Sequence, residues 1–317
     1  MESSLGPSMN AKRDKSILSR YINMFVRHKF IYFMVLPGLC YLLLFDYFPL
    51  YFLQIAFRSF NMFTGLADSP WVGLQNFLDL FQSTYFLQAL KNTVIISFYN
   101  LFWGFPVPIM IAILLNELRN VAFGRTIQSL LYLPHFLSWV IIGGLVAMIL
   151  SPEGGIVNIM LGKFGVDPIF FMADKRWFRS VLVASSIWKE MGWSSIIYLA
   201  AILGINSDQY ESAIVDGASR FQRMIYITLP SLVETILVVL LLKIKDILDV
   251  FTQVFVMYNP NVAEVSETLG TYTYMMGIQK GDFSFSTAAG LFNGLISLIL
   301  VLSVNQIVKR LRGSAIV

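Results

Sequence analysis

The chain has 317 residues, of which 56% are hydrophobic, 15% aromatic and only 13% charged, with a mean hydropathy of +0.68. That balance excludes an ordinary soluble domain and marks an integral membrane protein. The net charge of +4 needs no nucleic acid to explain it, since the basic residues gather at the ends of apolar runs, and a single cysteine, Cys40, excludes an internal disulfide framework or a cysteine-based zinc site.

Residues 1–29 are polar and basic and read as a cytoplasmic tail; the apolar run behind them is too long for a signal-peptide core. About six apolar runs then approach the length of about 20 residues that a helix needs to cross roughly 30 Å of hydrocarbon. They fall near 31–54, 92–115, 127–150, 180–204, 231–257 and 286–308, which makes an all-α membrane protein of six transmembrane helices, with a transmembrane domain at 30–312 and a short tail at 313–317. With the N-terminus inside, thirteen Lys and Arg lie on the inner side, among them Lys12, Arg13, Lys15, Arg20, Arg220 and Arg223, and seven on the outer side. Both termini are therefore expected in the cytoplasm.

In the first run Asp46, before Pro49, reads as interfacial. Gly104, Pro106 and Pro108 should bend or break the second, as a gate or as a tolerated kink. His135 follows Pro134 in the third, where packing is favoured over a proton relay. The fourth carries Trp188, Lys189, Glu190, Trp193, Ser194, Ser195 and Tyr198 within eleven residues, and the fifth carries Lys243, Lys245, Asp246, Asp249, Thr252 and Gln253. Read as one helix, the fifth places Lys245, Asp246, Asp249, Thr252 and Gln253 on one stripe, with Lys245 and Asp249 four apart. Polar groups at such depth face a protein interior or a wet cavity. Two readings stand: interhelical ion pairs that hold the bundle, or a pathway lined by polar groups and aromatic faces. Asn100, Trp139, Trp188, Trp193, Tyr198, Asp249 and Asn293 are the path candidates. Gly290, Asn293, Gly294 and Ser297 give the sixth run a small, mildly polar side suited to close helix approach.

Between the fourth and fifth runs lies a polar, helix-prone stretch at about 207–230. Asp208 and Glu211 have the spacing of a capping box. Gly217 can take positive φ and turn the chain, and Ala218 to Thr228 can form a second helix with Phe221, Met224, Ile225 and Thr228 on one face, stopped by Leu229-Pro230. Such an elbowed pair suits docking to a cytosolic partner or, in the plainer reading, rests on the inner leaflet.

The residues Glu211, Ser212, Ala213, Asp216, Gly217, Ala218, Ile227, Leu229 and Pro230 resemble the E-A-A-x-x-x-G-x(9)-I-x-L-P loop of permease subunits in ATP-driven, binding-protein-dependent importers, departing only with Ser212 for Ala. The stretches YLPHFLSWVIIGG, SPEGGIVNIML, SSIWKEMGWSSIIYLAAI, FTQVFVMYNPNV and FSTAAGLFNGLISLILVLSVN look like the carbohydrate branch, nearest the LplB-like permeases for oligosaccharides and polysaccharide fragments. TLGTYTYMMGI departs where an acidic residue near Gly270 and a basic one near Met275 are expected. The resemblance implies the type I importer permease fold, half of a translocation pore, and a coupling helix that enters a cleft of the ATPase. It implies as partners a second homologous permease, two cytosolic ATPase subunits holding ATP and Mg, an extracytoplasmic sugar-binding protein, and membrane lipid. It places the chain in a bacterial cytoplasmic membrane.

The chain carries no G-x-x-x-x-G-K-[ST] phosphate cradle, and His28 and His135 form no metal cluster, so it reads as a non-catalytic subunit with no cofactor or metal of its own. Two other functions are weighed: an importer subunit of the same ATP-driven class for a non-sugar solute, and a secondary transporter driven by an ion gradient. The second predicts internal repeats and a chain sufficient for transport alone; no convincing repeat is found.

Overall fold

In the computed structural model, which describes Met24 and residues 26–312, every regular element is helical. The basic residues Lys12, Arg13, Lys15 and Arg20 and the 313–317 tail lie outside the described residues. The chain divides after Gln54 into two compact units. The first contains α1 (Lys29–Leu42), which continues through a wide π turn, Leu43–Tyr47, that includes Asp46.

The second unit holds α2 (Gln75–Gln82), α3 (Thr84–Gly104), α4 (Pro106–Asn116), α5 (Val121–Tyr132), α6 (Trp139–Ile149), α7 (Ile156–Lys163) and α8 (Phe178–Leu203). It continues with α9 (Ser207–Val215), α10 (Arg220–Lys245), α11 (Phe251–Met257), α12 (Leu269–Tyr274) and α13 (Phe283–Arg312). Among the described residues, Lys29–Phe57, Thr84–Asn116, Arg220–Lys245 and Phe283–Arg310 are long and apolar enough to cross a membrane, and α5 with α6 makes a fifth if the bent pair is one span. The expected span at 180–204 is α8. Its 26 residues have the length, but Lys189, Glu190 and its serines make it too polar to stand in lipid alone.

Three expectations about these spans change. The second stays nearly continuous despite Gly104, Pro106 and Pro108: only Phe105 interrupts it, with its N–H still donating to the Leu101 carbonyl at 3.0 Å, because Pro106 falls in the first turn of α4, where its missing N–H is not needed. The third, expected as one span over 127–150, breaks at 133–138 and bends by 108°. Pro134 opens a single tight turn, Leu133–Phe136, and Ser138 starts a new helix by accepting from the Ile141 N–H. The fifth, expected as one helix over 231–257, ends at Lys245, turns, and restarts at Phe251. Lysines in a last turn favour the negative end of the helix dipole, whereas Asp246 and Asp249 oppose it, so the helix ends between them. The predicted single stripe of Lys245, Asp246, Asp249, Thr252 and Gln253 therefore does not form. Lys245 lies 3.9 Å from Asp246 rather than pairing with Asp249, and Gln253 is buried, donating to the Leu182 carbonyl and Ser185 Oγ.

Three apolar clusters bind the second unit. Phe86 and Ala89 of α3 meet Leu269 and Tyr272 of α12 and Ala288 and Ala289 of α13. Ile96 meets Phe178 and Leu182 of α8 and Val254 and Met257 of α11. Ala112 of α4, Tyr198 and Ile202 of α8, and Leu232 and Val239 of α10 form the third. Helix α8 enters two of the three, so its polar residues are held inside the bundle rather than offered to lipid. Gly270 packs closely: a Cβ there would stand 3.0 Å from the Phe251 Cβ, so a larger side chain at that position would have to displace Phe251.

Candidate functional site

Two features carry the chemistry: an exposed elbow at 206–230 and a polar cavity above it, joined by one helix. The elbow is built from local rules. Asn206, not Asp208, caps α9, its side chain accepting from the Asp208 N–H at 2.9 Å. The Asn206 side-chain carbonyl reaches the N–H two positions on and so places Asp208 inside the first turn rather than at its cap. The far end of α9 closes as a Schellman motif: the Ala218 N–H bonds the Ala213 carbonyl at 2.8 Å and the Gly217 N–H bonds Ile214 at 3.0 Å. Gly217 has φ +80°, the left-handed value that motif requires.

Ser219 then opens α10 with a capping box to Gln222. The expected stop at Leu229-Pro230 is absent. Met224–Thr228 widens into a π turn, with the Leu229 N–H donating to the Met224 carbonyl, and the helix runs on through Pro230 to Lys245. The wide turn makes room for a ring that cannot donate and would otherwise meet the carbonyl four residues back. Tyr210 Oη lies 2.9 Å from Thr228 Oγ1, tying α9 to the root of α10. Glu211, Ser212, Asp216 and Pro230 are solvent-exposed, Ala213 and Ala218 are half-buried, and Leu229 is exposed, as are Phe221 and Tyr226.

The far end of α10 walls a cavity of about 700 Å³. Asn100, Glu190, Trp193, Lys243, Asp246 and Asp249 line it, with Ser186 and Ser194. The Asn100 Oδ1 is buried with no protein partner, so the wall offers an acceptor as well as three carboxylates, an ammonium and an indole. The cavity brings together three of the seven path candidates, Asn100, Trp193 and Asp249. The other four lie elsewhere. Trp139 faces the Lys189 ammonium at 5.7 Å, Trp188 lines a separate apolar recess with Ile149, Phe171 and Trp177, Tyr198 is buried in the third cluster, and Asn293 sits on α13 with its Oδ1 buried. Gly290 and Gly294 on that helix have open space where a Cβ would go.

Behind the cavity, α8 grips the break in the third span. The Lys189 Nζ donates to the carbonyls of His135 at 2.6 Å and Leu137 at 2.7 Å, with Pro134 at 3.5 Å. These are carbonyls that the break releases from helical bonding, and apolar surroundings demand that they be satisfied. Lys189 is only 8% exposed; the negative end of the preceding helix and the Trp139 face offset the cost of burying its charge. The next residue, Glu190, accepts from or pairs with His135 Nδ1 at 3.2 Å, and His135 stacks on Trp193 with ring centroids 4.5 Å apart and planes within 2°. Gly192 lets the two backbones touch: a Cβ there would fall 2.0 Å from the Leu131 carbonyl oxygen.

Sequence reasoning missed Gly192, and it missed two asparagines that organise the loops. Asn92 donates to the Glu264 and Glu267 carbonyls and accepts from the Arg179 guanidinium at 2.7 Å. Asn158 binds the carbonyls of Leu150, Ser151 and Ile169 and the Ile169 N–H. An asparagine within an otherwise helical, apolar stretch is the signal that could have found them, since its amide must be satisfied once buried. In the same loop region the Lys175 ammonium hydrogen-bonds Glu264 and holds its carboxyl below the ordinary range, while burial pushes Glu267 up. Among the described residues no cluster of three or more His, Cys, Asp or Glu could hold a metal.

The family model described as "Binding-protein-dependent transport system inner membrane component" matches residues 92–314. The chain is 42% identical over 292 residues, 92% of its own length and 91% of the relative's, to the "Polygalacturonan/rhamnogalacturonan transport system permease protein YteP" of Bacillus subtilis (strain 168). It is 39% identical to "Protein LplB" of the same organism, over 94% of this chain and 96% of the relative. A solved bacterial alginate ABC transporter, in complex with an alginate pentasaccharide-bound periplasmic protein, contains a chain that superposes with TM-score 0.87 at 40% identity, covering 94% of this chain and all of that one.

Proposed function

We propose, since this chain belongs to the family of binding-protein-dependent transport system inner membrane components, that it is the permease subunit of an ATP-driven importer for oligosaccharides or polysaccharide fragments and forms half of the translocation path. The observation that carries this reading is the single helix α10, which starts at the Gly217 elbow and ends in the cavity wall. Its 26 residues span about 39 Å at 1.5 Å per residue. A push on the elbow therefore arrives at Lys243 and Asp246 as a displacement of the cavity wall. Tyr210 and Thr228 pass motion of α9 into the same rod.

In this reading α9, with Glu211, Ser212 and Ala213, is the docking helix, and Asp216, Gly217 and Ala218 set its angle to α10. The partners are a second homologous permease, two cytosolic ATPase subunits that hold the ATP and Mg, and an extracytoplasmic sugar-binding protein. The elbow and both termini face the cytoplasm, as the excess of inner Lys and Arg requires, and the membrane is the bacterial cytoplasmic one. Closure of the ATPases moves the two coupling elbows and exchanges outward for inward access. The cavity suits hydroxyl-rich cargo: Asn100, Glu190 and Asp249 accept hydrogen bonds, Lys243 donates, and Trp193 offers a face to sugar C–H groups.

The test is reconstitution in liposomes. Labelled oligosaccharide should enter only when the second permease, the ATPases, the binding protein and ATP are all present. Uptake by this chain alone down an ion gradient would contradict the proposal.

A further inference from the structure

We propose that His135, Glu190 and Trp193 form a latch through which cavity occupancy and the bend of the third span control one another; this rests on the importer reading above. Glu190 and Trp193 each have two duties. Both line the cavity, and both hold His135, through its Nδ1 at 3.2 Å and through parallel stacking at 4.5 Å. His135 itself is not part of the cavity lining. It belongs to the tight turn Leu133–Phe136, the corner at which the helix axis bends by 108°.

The corner has two kinds of tie to α8. Lys189 satisfies its carbonyls from a buried position, and Gly192 brings the backbones into contact; neither faces the cavity, so neither is exposed to cargo. The Glu190 and Trp193 ties are within reach of cargo, with side chains 33% and residues 43% exposed, respectively. A sugar hydroxyl that donates to the Glu190 carboxylate competes with His135 for it, and a ring that packs on the open part of the Trp193 indole shifts the plane on which His135 rests. Lys243, across the cavity on α10, is within electrostatic reach of the same carboxylate. Releasing His135 frees Glu190 to turn toward the helix that leads to the elbow. These are positioning residues: cargo acts on the corner through them, and the corner acts on the cavity wall.

The latch is tested in the reconstituted complex with His135→Ala, which leaves the cavity wall intact, with Glu190→Gln, and with both together. His135→Gln keeps a donor for Glu190 and serves as the conservative variant. Hydrogen exchange at amides 135–142 should rise about tenfold in His135→Ala, as loss of one charge-assisted hydrogen bond implies, and should return toward wild type in His135→Gln. Hydrolysis of ATP without binding protein should rise in each single variant, and the double variant should add nothing further. Wild-type exchange in His135→Ala overturns the latch. Additive effects on hydrolysis overturn the coupling of latch and cavity. Should the wild-type complex hydrolyse ATP no differently from the ATPases alone, the importer reading fails and the coupling claim fails with it, while the exchange result still decides whether the latch exists.

Discussion

The two ends of α10 are built by different physics. At the elbow, the contacts that shape the turn and start its helices join residues at most five positions apart, Asn206 to Asp208, Ala213 to Ala218 and Ser219 to Gln222, with the Tyr210–Thr228 tie, eighteen apart, as the longer-range addition. At the cavity they join residues more than fifty apart, Lys189 to His135 and Leu137, and Glu190 to His135. The elbow is exposed and assembled from caps and one left-handed glycine, so it can be altered without touching the bundle. The cavity end is a polar inclusion inside an apolar bundle, where each group depends on partners from another helix.

This contrast predicts a gradient of damage. The largest effect is expected at Gly192, where even Gly192→Ala places a methyl 2.0 Å from a backbone oxygen. Overpacking against backbone should cost about 3 kcal/mol, and the purified chain should lose its monodisperse peak on mild heating. Next comes Lys189→Met, which leaves the His135 and Leu137 carbonyls without a donor and should cost about 2 kcal/mol, seen as a lower melting temperature in detergent. At the elbow, Ser219→Ala removes one half of the capping box and should cost about 1 kcal/mol, confined to hydrogen exchange in 219–223. If Ser219→Ala destabilised the chain as much as Gly192→Ala, the contrast between the two ends would be wrong.

The smallest effect concerns the Lys175 and Glu264 contact. Its hydrogen bond lowers the folded Glu264 pKa below the ordinary value of 4.5, so its contribution is fully present above that value and is lost as pH falls through the lower folded one. The pair is exposed, so the effect should be modest. Exchange at 260–267, compared between wild type and Lys175→Ala, should differ at neutral pH and converge in acid. A difference that did not shrink as the pH was taken down below the ordinary carboxylate range would contradict the assignment.

The same contrast explains what could be read from residues alone. The order of the apolar runs, the positive φ of Gly217 and the elbowed form of 207–230 follow from local pattern; among the described residues four helices, or five with the bent pair, are long and apolar enough to span rather than six, and the structure shows the Gly217 φ and the elbow but neither the expected cap nor the stop at Pro230. Those two depended on which of several nearby groups won a local competition: Asn206 over Asp208, and a π turn over a helix end. The breaks at 133–138 and 246–250 were not legible, because Pro134 and Asp246 are tolerated or not according to what Lys189 and the cavity provide from elsewhere in the chain. Of the path candidates, Asn100, Trp193 and Asp249 share a cavity that α8 and the polar end of α10 wall together, a meeting of distant segments that local pattern does not show. Tyr198 and Trp188 show the converse: polar-tipped aromatics at helical spacing that serve packing instead.

The central claim is that the elbow transmits the work of an ATPase through α10. It is tested most directly by comparing wild type, Gly217→Val and Glu211→Lys in nanodiscs containing the whole complex. Gly217→Val forces a β-branched side chain into φ +80°, at a cost of about 1–3 kcal/mol, and misdirects α9. Glu211→Lys leaves the fold intact and reverses one exposed charge on the docking helix. Both variants should insert and pair with the second permease yet lose the stimulation of ATP hydrolysis by loaded binding protein. Stimulation at the wild-type level in both would show that 206–230 is only a surface helix pair.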